Sequence, residues 1–301
     1  MKKTMLILTG ILVLAVLATS CKKDEENKNQ TDVQNNQKKI EKIFWSCNMQ
    51  YDGYSLNFPR CLHSLWDWEA DQLKSISYFD DGIEITKALF SYQNNHLSNV
   101  SYEGEVSPIS YTYTYQNGRV VSIQEYNGNE LAEEFQYTYS GNVVSRITCT
   151  SYYDKESFES PLRSALLLAM YGGKTPKTIG KTRSNEIFDL EWSQGNLVRL
   201  TRSSEGYSNT EVRTFDNKIN PVRNSFFGFG AQCTPYLIPA SENNIVEMVE
   251  TNLTGACYTY IYTYTYDGDY PVIQNCSLQS YTINGVPQNR IDQEVLYYEY
   301  K

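Results

Sequence analysis

The sequence predicts an all-β protein: a long antiparallel meander of hairpin repeats, strongly curled or barrel-like, with one inserted α-helix near 161–171. Three observations carry that expectation. Aromatic and polar residues alternate over long stretches, as in Tyr258-Thr-Tyr-Ile-Tyr-Thr-Tyr-Thr-Tyr266, the period of strands with one buried and one wet face. Turn pairs such as Asn117-Gly118, Ser140-Gly141 and Gln194-Gly195 interrupt the alternation with residues that accept positive φ. The aromatic anchors Trp68, Tyr92, Tyr115 and Tyr139 recur 24, 23 and 24 residues apart, which marks an internal repeat.

The chain has 301 residues, 26 of them Tyr, and a net charge of −9. It opens with Lys2 and Lys3, a short apolar run over 5–17 and small residues before Cys21. That order is a signal peptide over 1–20, too short to be a comfortable transmembrane helix. Its end resembles the bacterial lipobox, in which Cys21 is acylated and anchors the chain to the outer membrane. The Lys-Lys-Asp-Glu-Glu run at 22–26 resembles the signal that sends such lipoproteins to the cell exterior. Without residues 1–20 the balance is 24 basic against 35 acidic residues, so phosphate backbones are repelled and no nucleic-acid partner is expected.

Residues 21–39 are almost free of apolar side chains and read as a flexible tether. A single β-rich domain follows over 40–301. In each repeat the second strand carries apolar residues at an odd offset, as in Leu97 and Val100, which calls for a bulge. About sixteen strands are expected, more than an open twisted sheet carries before it curls. Ser160, Pro161 and Gly172 bracket the expected helix as N-cap, first-turn residue and stop. Its apolar residues run nearly all round, which points to a buried helix inside the curved sheet.

Six cysteines follow Cys21: Cys47, Cys61, Cys149, Cys233, Cys257 and Cys276. Their pairing is not fixed by sequence, because six permit fifteen connectivities. Buried free thiols are the competing reading.

Towards the C-terminus the pattern changes. Phe215-Asp-Asn-Lys-x-Asn-Pro221, Ser241-x-Asn-Asn244, and Tyr264-Thr-Tyr266 followed by Tyr270-Pro271 join the hairpin units. Together they resemble a family of uncharacterised Bacteroidetes surface lipoproteins, a domain-of-unknown-function family with tyrosine-rich β-hairpin repeats. The hairpin unit is also weakly similar to tyrosine–aspartate repeats, without their regular spacing. The resemblance implies a location and a fold and transfers no catalytic residue.

Signals of chemistry are few. The histidines are His63 and His96, and neither sits at metal-ligand spacing. Nucleophile-elbow, P-loop and zinc-protease motifs are absent. Asp80-Asp81-Gly82 and Asp267-Gly268-Asp269 lack the other ligands of a calcium loop and read as hairpin turns. Neither a cofactor nor a metal is expected, and the protein is expected not to be an enzyme. A glycan-active enzyme, with paired acids such as Glu133-Glu134, carries the least weight. The leading expectation is a binding module for glycan or another extracellular ligand. Trp45, Trp66, Trp68, Trp192 and the Tyr ladders are the candidate sugar-stacking groups, although a half-wet sheet uses the same residues structurally. The alternative is a structural or protein-interaction lipoprotein that docks an outer-membrane partner.

Overall fold

The computed structural model describes residues 38–301 apart from 52–53, 105–108, 153–184 and 224–239. Cys21, Cys233 and the helix expected near 161–171 lie outside the described residues.

The first nine strands are β1 (Ile40–Tyr51), β2 (Tyr54–Glu69), β3 (Gln72–Asp80), β4 (Ile83–Gln93), β5 (His96–Gly104), β6 (Ile109–Gln116), β7 (Arg119–Asn127), β8 (Glu130–Ser140) and β9 (Val143–Ser151). The rest are β10 (Asn185–Ser193), β11 (Asn196–Ser204), β12 (Tyr207–Ile219), β13 (Asn243–Asn252), β14 (Ala256–Asp267), β15 (Tyr270–Ile283), β16 (Val286–Pro287) and β17 (Arg290–Tyr300). From β1 to β15 each pairs with the next in sequence. β17 pairs with β15 on one side and with β1 on the other, so the sheet closes. β16 pairs only with β15 as a two-residue spur, which leaves sixteen strands in a closed antiparallel barrel. Closure removes the free edges that a curled open sheet would expose.

The turns follow from their residues. Asn94-Asn95 and Asn117-Gly118 each link adjacent strands with both central φ values positive. A two-residue connection of that kind matches the twist of the strands it joins. The odd apolar offset is taken up by a register shift after the turn. Tyr92 faces Leu97 while Ser91 faces Asn99. The same shift recurs at Trp68, Tyr115, Tyr139 and Trp192.

These anchor aromatics have a further structural role. Where one hairpin meets the preceding one, the ladder stops short of the turn. The anchor then donates to the backbone carbonyl left over: Trp68 Nε1 to Ile40 at 2.7 Å, Tyr92 OH to Leu73 at 3.1 Å, Tyr139 OH to Val120 at 2.8 Å and Trp192 Nε1 to Val144 at 2.7 Å. Tyr264 and Tyr300 do the same to Ile245 and Pro271, at 2.7 and 2.6 Å. A ring of side-chain clamps thus replaces missing ladder bonds and keeps buried carbonyls satisfied. Both described chain ends lie at this end of the barrel, where Lys39 and Lys301 exchange backbone bonds.

The apolar face points inward. Leu73, Ile76, Leu97, Val100, Val120 and Ile123 are fully buried, and Phe135, Ile147 and Leu190 nearly so. Outward positions carry Thr112, Thr114, Gln136, Thr138, Arg146 and Arg199, all exposed. Over β6 to β11 the sheet is therefore largely apolar inside and polar outside, the reverse of a wall that faces lipid.

Candidate functional site: a tyrosine-lined lumen

The C-terminal wall, β12 to β15 with β17, differs from the rest. Tyr258, Tyr260, Tyr262, Tyr264 and Tyr266 all face inward, as alternation required: Tyr260 opposes Leu278 and Tyr262 opposes Cys276, both buried. Thr263 and Thr265 point out and are exposed. Yet these tyrosines are only half-buried. Each keeps some accessible surface on the inner side of the closed sheet, the lumen of the barrel. The strand parity holds, but this wall lacks the close apolar packing found opposite.

Cross-strand register arranges the lining in rows. Glu211 opposes Glu250, Glu250 opposes Tyr258, and Tyr258 opposes Tyr281. One row further in, Arg213 opposes Met248, which opposes Tyr260. The Tyr258 and Tyr281 rings stack at 4.4 Å with 8° between planes, and Tyr258 and Tyr260 lie 6.4 Å apart at 15°. Three nearly parallel rings thus stand at the end of the barrel away from the chain termini. Arg290, Asp292 and Glu294 alternate along β17 on the same face as buried Leu296 and Tyr298.

Polar contacts fix this lining. Asn209 Nδ2 donates to Glu250 at 2.7 Å, and Trp45 Nε1 donates to Glu294 at 2.6 Å. Arg290 pairs with Asp292 at 2.6 Å, and Arg213 pairs closely with Glu211. Burial pushes the Glu294 carboxyl up, with Asp292 adding to the shift and the Trp45 bond opposing it. Burial also raises Tyr258, Tyr260 and Tyr262, so their hydroxyls stay neutral donors and acceptors. The Cys47 and Cys276 thiols are pushed up to about 12, chiefly by burial and then by Glu294. Both are protonated and poor nucleophiles at neutral pH. Cys47, Cys61, Cys149, Cys257 and Cys276 are all free. Among the described residues no three His, Cys, Asp or Glu side chains converge on a metal-holding group.

The four tryptophans do not form one platform. Trp45 borders the lumen through Glu294 and packs on Phe58 at 5.5 Å. Trp66 is buried, bonded to Ser64 and stacked on Trp68 at 6.4 Å. Trp68 and Trp192 are the backbone clamps described above. His63 is drawn inside next to Tyr78, at 6.0 Å, and burial lowers it to about 4. His96 lies by its turn, stacked on Tyr115 at 4.8 Å. The Phe215–Pro221 box is a clasp. The Asp216 carboxylate accepts from the backbone N–H groups of Lys218 and Asn244 at 2.9 and 3.1 Å and from the Tyr266 hydroxyl. Asp80-Asp81-Gly82 and Asp267-Gly268-Asp269 are hairpin turns.

Sequence reasoning missed Glu250, Asn209, Arg213, Arg290, Asp292 and Glu294. A signal existed for β17: Arg290, Asp292 and Glu294 share the parity of Leu296 and Tyr298, so one face had to hold both.

No family model and no curated protein matches the chain. Solved structures do. One is a porin-like protein from Bacteroides uniformis, 13% identical, with a TM-score of 0.54 over 87% of this chain and 96% of that one. Another is a porin-like protein from Bacteroides vulgatus, 8% identical, with a TM-score of 0.46 over 88% and 99%. The first likeness shows the fold alone. A closed all-β barrel of this kind has been solved before, in a chain with little sequence in common.

Proposed function

We propose that the protein is a non-enzymatic, lipid-anchored surface protein that binds a glycan in the lumen beside β14. One observation carries this reading: inward tyrosines that keep accessible surface, ringed by carboxylate, guanidinium and amide groups. Aromatic faces suit the C–H faces of sugars, and such polar groups suit hydroxyls. The polar outer face of β6 to β11 supports a barrel that stands in water and is held at the outer membrane by a lipid on Cys21 rather than by its strands. The porin-like neighbours are consistent with an outer-membrane setting.

A panel of immobilised oligosaccharides, probed with the chain from residue 21 carrying Cys21→Ala, tests the binding. Retention that is lost in Tyr260→Ala and kept in Thr263→Ala supports the lumen. Equal retention in both variants removes the site from the lumen. For the anchor, Cys21→Ala should release the protein from membranes in cells, and protease added to intact cells should digest the wild type. A variant that still floats with membranes overturns the lipid assignment. Protection from protease until the outer membrane is broken places the protein inside it.

A second reading has its own observation. Ile83, Leu253, Ile283 and Val286 are exposed on or beside turns at the end away from the termini, which suits docking of a partner protein.

A further inference from the structure

We infer that the lumen discriminates by charge: it accepts uncharged saccharides and rejects acidic ones. This rests on the lumen reading above and adds the chemical class of its ligand.

The argument starts from the two arginines of the C-terminal wall. Arg recognises carboxylate, sulfate and phosphate by presenting a fork of donors. Here each fork is already engaged by a carboxylate two residues away on its own strand and on the same face. Arg213 is held by Glu211 on β12, and Arg290 by Asp292 on β17. Both partners are mostly buried, with side-chain exposures of 15% and 19%, so solvent does not loosen these pairs as it would on an open surface. An acidic ligand would have to displace a carboxylate that the fold itself provides.

The remaining charges of this wall add to the barrier. Glu250 directly opposes Glu211, and Glu294 lies two residues beyond Asp292 on the same face of β17. With Asp216 in its clasp, the wall therefore offers five carboxylates against two guanidinium groups, in an enclosure where fields are less damped than in bulk water. Sugar hydroxyls face no such conflict. They can donate to Glu211, Glu250 and Asp292 and accept from the Asn209 amide or a tyrosine hydroxyl.

The test uses matched pairs: neutral oligosaccharides, each beside its uronate or sulfate-ester counterpart, titrated into the chain from residue 21 with Cys21→Ala. The neutral member should bind at least tenfold more tightly at low salt, and the gap should narrow as salt rises. The double variant Glu211→Gln, Asp292→Asn frees both guanidinium groups and removes two negative charges. It should bring the ratio towards one, or invert it, with a circular dichroism spectrum like the wild type. The single variant Asp292→Asn should give a smaller change in the same direction if the double variant is poorly folded. Acidic members that bind as well as their neutral counterparts overturn the charge filter while leaving the lumen as the binding site. So does a ratio unmoved in the variants. Failure of every saccharide to bind the wild type overturns the lumen reading and this inference with it.

Discussion

One barrel has two kinds of wall. From β3 to β11 the inward face is mostly Leu, Ile, Val, Phe and Tyr at close packing, with Glu125, Glu133 and the Arg202–Glu186 pair towards the end away from the termini, and Leu73, Leu97, Val100 and Ile123 have no accessible surface. From β12 to β15 the inward face adds many Tyr, Arg, Glu and Asn side chains to Met248, Cys276 and Leu278, and the β14 tyrosines keep part of their surface accessible. Both walls are antiparallel, twisted and continuous in register, so backbone pairing does not distinguish them. The difference lies in what the inward positions can give up. An aliphatic side chain gains only by excluding water, whereas Tyr can bury its ring and keep its hydroxyl wet. The first wall therefore serves stability, and the second keeps polar groups accessible on the inner face of the barrel.

The largest effect that can break this comparison lies on the packed wall. Phe135, on β8, is 2% exposed. Phe135→Ala should cost about 3–5 kcal/mol in a denaturant melt, as expected for a large aromatic removed from a core that cannot collapse. A cost below 1 kcal/mol would mean that this wall also borders open space.

Much of the packed wall was legible in the sequence. Period-two alternation, turn chemistry and the 24-residue spacing are local features, and Trp68, Tyr92, Tyr115 and Tyr139 announce them directly. Even the bulges could be read from the odd offset between Leu97 and Val100. Closure could not, because it depends on β17 pairing with β1, a contact between the two ends of the domain. The lumen was hidden for a related reason. Alternation shows which residues share a face, but not whether that face meets another wall or a void. The tyrosines of 258–266 therefore had the same appearance as those of 111–115. What separates them is composition across strands, where Glu211, Glu250 and Arg290 come into register only in the folded sheet.

His63 marks the boundary between the walls and offers a pH test. Burial lowers its pKa to about 4 in the folded protein, against about 6.5 for an ordinary histidine. Between those values the unfolded chain takes up a proton that the folded chain refuses. Stability should therefore fall as pH drops from about 6.5 to 4, by up to about 3 kcal/mol. His63→Gln should flatten that part of the profile. An identical slope in both proteins would place His63 in contact with water.

On the other wall, Tyr258→Ala should cost about 1–2 kcal/mol, made up of a partly buried ring and its stack on Tyr281. That is well below the Phe135 value, and binding should suffer more than stability. A cost matching that of Phe135→Ala would show that the lumen is as tightly packed as the opposite wall.

The smallest expected effect concerns the clamps. Tyr139 donates to the Val120 carbonyl at 2.8 Å, and Tyr139→Phe keeps the ring while leaving that acceptor without its donor. Such a loss costs about 1 kcal/mol when the abandoned group is shielded from water. Tyr115 stands at the equivalent place one hairpin earlier, but among the described residues its buried hydroxyl finds no hydrogen-bond partner. Tyr115→Phe should therefore be neutral or slightly stabilising, because a polar atom leaves an apolar setting and no bond is broken. The pair isolates the hydrogen bond from the ring, since both substitutions remove one oxygen from the same side-chain type in the same repeat. Equal costs at the two positions would show that these aromatics hold the hairpins together by packing alone. A loss confined to Tyr139→Phe would show that the clamps act through the carbonyls that the ladders leave over.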